Sequence, residues 1–155
     1  MKIKFFLFIL LVAFLLIINK SVLADDIAEA KQFFEKYIEL CYSYDKSVPE
    51  QYSDNALIKR FLICPDKTTK VKILTVKEYR GKLKFYAPMA KIIGYKNTYS
   101  SLKFVKEGEN VRIEGYRQVG NDNYKTPVSI LAGQNKSGQW RILEEILYTK
   151  ALIFF

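Results

Sequence analysis

Between Asp25 and Tyr44 the apolar residues Ile27, Ala30, Phe34, Tyr37, Cys41 and Tyr44 recur in steps of three and four, the repeat of one face of an α-helix. Asp25, Asp26 and Glu29 lie where carboxylates complement the positive end of a helix dipole, and Ser47 with Pro49 marks the stop. After a polar stretch, the β-rich run Asn55–Cys64 ends at Pro65-Asp66, and Lys70–Leu74 can return beside it, which predicts a hairpin. Thr75-Val76-Lys77-Glu78 has the form of a capping box. Val76, Tyr79, Leu83, Tyr86, Ala87 and Ala90 then continue at helical spacing, and Pro88 is expected to kink or end this second helix near Ala87. From Asn97 onward, runs rich in Tyr, Val and Ile are broken by Glu107–Asn110, Gly120–Asn123 and Asn135–Gly138, each of hairpin-turn composition. Four antiparallel strands are predicted near residues 98–106, 110–119, 124–134 and 139–149, with a bulge or bend at Gly115.

The first 24 residues have a different texture. Lys2 and Lys4 precede an unbroken apolar run from Phe5 to Ile18, followed by Asn19-Lys20-Ser21 and Val22-Leu23-Ala24. This is the layout of a secretory signal peptide cleaved after Ala24, since the run is shorter than the roughly 20 residues a membrane span needs. An exported protein, periplasmic or secreted, is expected, with one domain over residues 25–155. An uncleaved leader that tethers the domain to the membrane is the alternative.

Composition narrows the chemistry. Of 155 residues, none is His, which removes the usual neutral-pH base, the triads built on it and the commonest zinc ligand. No Gly-rich phosphate loop, metal-spaced Cys pair or acidic calcium loop occurs, so neither cofactor nor metal is expected. The charge is uneven: residues 25–58 sum to −5, residues 59–106 to +11 and residues 107–155 to 0. Within the basic block Lys77, Lys84 and Lys91 repeat every seven residues along the second helix with Arg80 nearby, a positive stripe that suits an anionic surface and serves equally as a solvated helix face. Nucleic acid is not an expected partner, because export removes the chain from it and no nucleic-acid module is visible.

Two apolar helix faces and a run of strands with comparable apolar area define an α+β domain, a curved antiparallel sheet wrapped around N-terminal helices. The helix ending in Tyr42-Ser43-Tyr44-Asp45, the Tyr52-Ser53-Asp54-Asn55-Ala56 lead-in to the first strand and the closing Gly138-Gln139-Trp140-Arg141-Ile142-Leu143-Glu144-Glu145 carry a resemblance. Over essentially all of residues 25–155 the chain resembles the nuclear transport factor 2-like (SnoaL-like) superfamily, whose cone-shaped fold is shared by SnoaL-like cyclases, ketosteroid isomerase and scytalone dehydratase. The resemblance implies a fold far more than an activity. Enzymes with this fold work through a cavity Asp, His, Arg or Tyr. This chain has no His, and no Asp within its four predicted meander strands, so their catalytic residues do not carry over.

Strict alternation places Arg117 with Val111, Ile113 and Gly115 on one face, and Glu144 with Trp140, Ile142, Ile146 and Tyr148 on another. Arg117 and Glu144 are therefore expected to meet inside the cone, as a ligand-orienting pair or as a structural one. Tyr37, Arg117, Trp140, Glu144 and Tyr148 form the expected ligand pocket, and Glu144 with Arg117 would serve if the protein were an enzyme. Cys41 and Cys64 are a candidate disulfide in an exported chain, or two small buried thiols. The apolar end, Ala151–Phe155, is expected to pack on the cone mouth, a dimer partner or the last strand. The favoured function is a non-catalytic binding or interaction domain that holds a small amphipathic molecule or a protein segment. A cofactor-free isomerase, dehydratase or hydrolase is one alternative. A structural or assembly subunit using the outer sheet face is another, and a second copy of the chain is among the candidate partners.

Overall fold

A computed structural model describes residues 25–120 and 123–150. Residues 1–24, where a leader is expected, and the apolar end Ala151–Phe155 lie outside the described residues. Helix α1 covers residues 25–43, and a short 3-10 turn, Val48–Gln51, leads into β1, Tyr52–Ile63. β2, Thr69–Leu74, returns antiparallel and is followed by α2, Val76–Ile92, and by the strands β3 (Asn97–Glu107), β4 (Asn110–Val119), β5 (Lys125–Gln134) and β6 (Trp140–Thr149). The six strands form one sheet in the order β2-β1-β6-β5-β4-β3. Only the β1–β6 contact is parallel. The sheet is therefore mixed rather than wholly antiparallel, because β6 closes the meander alongside the earlier hairpin.

The expected stripe on α1 is the one that meets the sheet. Ala30, Phe34 and Tyr37 are buried, whereas Lys31, Glu35, Lys36 and Glu39 on the opposite side are exposed. Phe34 packs edge-on against Tyr99 and Phe104 of β3, with ring centroids 5.3 and 6.4 Å away. From the strands, Ile58, Val111, Ile113, Ile130 and Ile142 complete the core at the period of two that a one-sided sheet requires. At the wide end of α1, Glu29 Oε2 accepts hydrogen bonds from Trp140 Nε1 and Gln134 Nε2, both at 3.0 Å, and Lys106 pairs with Asp26.

The capping box on α2 is formed: Thr75 Oγ1 accepts from Glu78 N–H, and Glu78 returns the contact to the Thr75 N–H at 2.8 Å. Pro88 does not end α2, which runs four residues further to Ile92. Proline deprives the carbonyl of Lys84 of its helical partner, but Pro88 is exposed, so that carbonyl can bond to water instead.

Two irregularities bend the sheet. On β3 the register slips between Ser100 and Lys103, with Ser101 at φ 54°, and a Cβ on Gly115 of β4 would lie 2.8 Å from the Ser100 carbonyl oxygen. The bulge expected at Gly115 thus belongs to its neighbour, and the glycine is the residue that admits it. On β6 the pairing to β5 steps from Ala132–Ile142 to Leu131–Glu144, leaving Leu143 as the extra residue. A Cβ on Gly133 would run first into Asn110 Oδ1 of β4 and then, at 2.7 Å, into Leu143 Cδ1, so this glycine admits both neighbours.

Candidate functional site

The Leu143 bulge decides which glutamate enters the interior. In an unbroken strand, Ile142 and Glu144 share a face. With one residue inserted, the inward set becomes Ile142, Glu145, Leu147 and Thr149, all buried. The expected Arg117–Glu144 pair is therefore not formed. Glu144 lies on the outer face, where its Oε1 accepts from Arg112 Nη1 at 3.1 Å while Arg112 also grips Glu107. Tyr148 faces outward as well and stacks on Phe61 at 4.7 Å between centroids. Trp140 stacks on Phe33 at the end of the sheet tied to Glu29.

Glu145 meets Arg60 instead, at 2.6 Å, with both side chains more than nine-tenths buried. Arg60 shares the inward face of β1 with Ala56, Ile58 and Leu62. Its guanidinium also stands 4.7 Å from the centroid of the Tyr79 ring. Burial is the largest single influence on Arg60 and opposes its charge, but the Glu145 carboxylate together with the Tyr79 and Tyr52 phenols more than offsets it and holds the guanidinium ionised above its ordinary range. Around the pair lies a chain of phenols. Tyr37 and Tyr52 share a hydrogen bond of 2.8 Å, and Tyr52 reaches Tyr79 at 3.5 Å.

These groups stand at the inner end of a cavity of about 840 Å³ between the sheet, the end of α1 and the length of α2. Tyr37, Cys41, Tyr79, Tyr99, Arg117 and Leu147 are among the residues that line it. Of the five pocket residues read from the sequence, Tyr37 and Arg117 line this space, and Trp140, Glu144 and Tyr148 do not. Arg60, Tyr79 and Tyr99 are not among the five, and of the neighbouring Glu144 and Glu145, only one of which can enter a pocket, it is Glu145 that does. The alternation Ala56-Ile58-Arg60-Leu62 marked Arg60 as inward, whereas nothing in the local sequence distinguishes Glu145 from Glu144 before the bulge is seen.

Both cysteines are free. Cys41, one turn beyond Tyr37 on α1, faces the cavity, and Cys64 follows β1 in the turn to β2, so the expected pair is not joined. Burial pushes the Cys41 thiol up to about 12, with the Glu145 charge adding to the shift and a hydrogen bond to Tyr37 opposing it. The basic stripe is likewise reduced. Lys77, Lys84 and Lys91 are exposed. Arg80 instead turns inward to clamp the lead-in to β1, bonding the carbonyls of Pro49 (3.0 Å) and Tyr52 (2.6 Å) and the Asp54 carboxylate (2.7 Å).

The phenols give the site a pH signature. Desolvation raises Tyr37, Tyr52, Tyr79 and Tyr99 above the ordinary 10.0, with the Glu145 charge acting in the same direction. A folded value above the unfolded one means full stabilisation below pH 10 and loss as the pH climbs toward the folded values. The phenolate absorbance of these four tyrosines is expected to appear only with the unfolding transition on the alkaline side. A smooth titration of all 11 tyrosines with near-ultraviolet circular dichroism intact would contradict this burial.

This architecture is that of the nuclear transport factor 2-like, or cystatin-like, fold. An NTF2-like protein of unknown function from Pseudomonas putida KT2440 superposes with a TM-score of 0.59 at 12% identity, over 81% of this chain and 86% of that one. An NTF2-like protein with a cystatin-like fold from Novosphingobium aromaticivorans gives 0.60 at 11% identity, over 84% and 85%. ActVI-ORFA from Streptomyces coelicolor gives 0.54 at 10% identity, over 78% and 95%. At these identities the likeness establishes the scaffold. No protein-family model matches the chain, and no curated protein matches it in sequence.

Proposed function

We propose that the protein is a non-catalytic binding domain that holds a small amphipathic molecule in the cavity beneath α2, and that the leader over residues 1–24 directs it out of the cytoplasm. The observation that carries the reading is the cavity itself: about 840 Å³, walled by aromatic and aliphatic side chains with a few fixed polar groups at its inner end. That is the size and lining of a site that buries a molecule of a few hundred daltons. A structure from Catenulispora acidiphila with the same fold, at a TM-score of 0.53 and 10% identity over 81% of this chain and 93% of that one, is a complex with S-DNPA.

The state of the titratable groups favours binding over turnover. A general base or acid works best with its pKa near the working pH. Here Tyr37, Tyr79, Tyr99 and Cys41 are all held neutral by burial, and the inward carboxylate of Glu145 is engaged by Arg60. A second reading, assembly through the outer sheet face, rests on Leu57, Val71, Ile73 and Tyr116, which are exposed apolar residues of that sheet.

Native mass spectrometry of the protein taken from its own host tests the first reading. The expected result is a one-to-one adduct with a small organic molecule, released on unfolding. A bare chain under the gentlest ionisation, assembled into a dimer that buries the outer face, would favour the assembly reading instead.

A further inference from the structure

Arg117 is the one inward charge at the cavity for which no carboxylate partner occurs among the described residues. Its side chain projects from β4 on the inner face and is only 3% exposed, yet it lines the cavity. Arg60, the other inward guanidinium, has Glu145 at 2.6 Å. Arg117 has neutral contacts instead: Nη2 donates to the Tyr148 carbonyl oxygen at 3.0 Å, Nη1 reaches Asn97 Oδ1 only at 3.5 Å, and the Tyr95 hydroxyl lies beside it. Its Nε has no acceptor among the described residues. A buried cation without an anion is costly, and buried charges are as a rule paired or bound to a ligand.

The mouth of the cavity has the same sign. Lys46, Lys82, Lys84, Lys91 and Lys96 line it, against Asp45 and Glu50. Asp45 is committed to Ser47, accepting from its N–H at 2.7 Å and its hydroxyl at 2.6 Å. A rim with a net positive charge draws the opposite charge inward and raises the encounter rate. The tyrosine-rich walls exclude a ligand that is polar throughout.

We infer that the occupant of the cavity is an anionic amphiphile, an aromatic or aliphatic body bearing one carboxylate, and that Arg117 is the residue that receives the carboxylate. The inference rests on the binding reading above and names the class of molecule that this site takes. The guanidinium supplies a fork of N–H donors whose present acceptors are uncharged, and a carboxylate satisfies it with charge-assisted hydrogen bonds.

A matched pair of probes separates this inference from the reading it rests on. 2-Naphthoic acid, ionised at pH 7, and its isosteric neutral amide are titrated calorimetrically into the protein as its host processes it. The expected result is saturable binding of both, with the acid at least about tenfold tighter, the usual worth of a hydrogen bond to a charged group. Arg117→Gln should bring the acid down to the affinity of the amide and leave the amide unchanged within about twofold, and Arg117→Lys should retain part of the preference. If the glutamine variant does not fold, the wild-type preference and the lysine variant still decide the matter. Equal binding of acid and amide, or a preference that survives in Arg117→Gln, overturns the anion assignment and leaves the binding reading standing. Failure of both probes to bind wild-type protein overturns the two together.

Discussion

Glu145→Ala is expected to lower the unfolding free energy by about 3–5 kcal/mol, whereas Glu144→Ala, one residue away, should cost no more than about 1 kcal/mol. The difference lies in what each change leaves behind. Removing Glu145 strands the Arg60 guanidinium in an interior where only 4% of its side chain is exposed, with no other carboxylate to receive it among the described residues. Removing Glu144 frees Arg112, whose side chain keeps Glu107 and 17% of its surface in water. Replacing both members of the inner pair, Arg60→Met with Glu145→Leu, is expected to recover most or all of the loss, because the desolvation cost of the two charges disappears along with their attraction. Urea melts of the four proteins at neutral pH measure this directly. Similar losses for Glu144→Ala and Glu145→Ala would contradict the register of β6 and with it the placement of every polar group in the cavity.

That register also marks the limit of what could be read without coordinates. Periodicity located both helices, the hairpin and the meander, and on β4 simple alternation placed Arg117 inside, where it is. On β6 the same rule failed after Ile142, since a bulge depends on how two strands pair and not on the residues of one. Gly133, on the neighbouring strand, was the available clue: a glycine in a buried strand interior signals a close approach from across the ladder. The same alternation puts Trp140 and Tyr148 in the expected pocket; the Leu143 bulge turns Tyr148 outward together with Glu144, onto the Phe61 ring, and Trp140 lies at the end of the sheet against the Phe33 ring. Arg80 has a similar history. Its position in a lysine-rich helix suggested a surface charge, but three acceptors at the lead-in to β1 hold it, and only the tertiary structure brings them within reach. Arg60 was legible in principle, because its neighbours at steps of two are all apolar and buried. The chain's chemistry is thus harder to read than its fold: patterning fixes which face of an element is apolar, whereas a buried ion pair is fixed by register between elements distant in sequence.

The second large effect concerns the cavity. Ala87 and Ala90 sit one turn apart on α2 and both line the space beneath it. Their small side chains are part of why the hollow exists, since bulky residues at steps of three and four on the same helix face would reach the sheet. Substituting tryptophan at both positions places two indole rings over the volume that a ligand would occupy. Neither residue belongs to the Arg60–Glu145 pair or to the phenol chain, so the fold should survive with its ion pair intact.

Titration of a neutral apolar probe, 2-naphthylmethanol, into wild-type protein and into the Ala87→Trp/Ala90→Trp variant therefore tests the central claim, an internal hollow open to small molecules. The predicted result is one saturable site per wild-type chain and a loss of affinity of at least about a hundredfold in the folded variant, well beyond the roughly tenfold effect of a single lost contact. Saturable binding that is unchanged in the variant, or no binding to wild-type protein at concentrations where the probe is soluble, would contradict it.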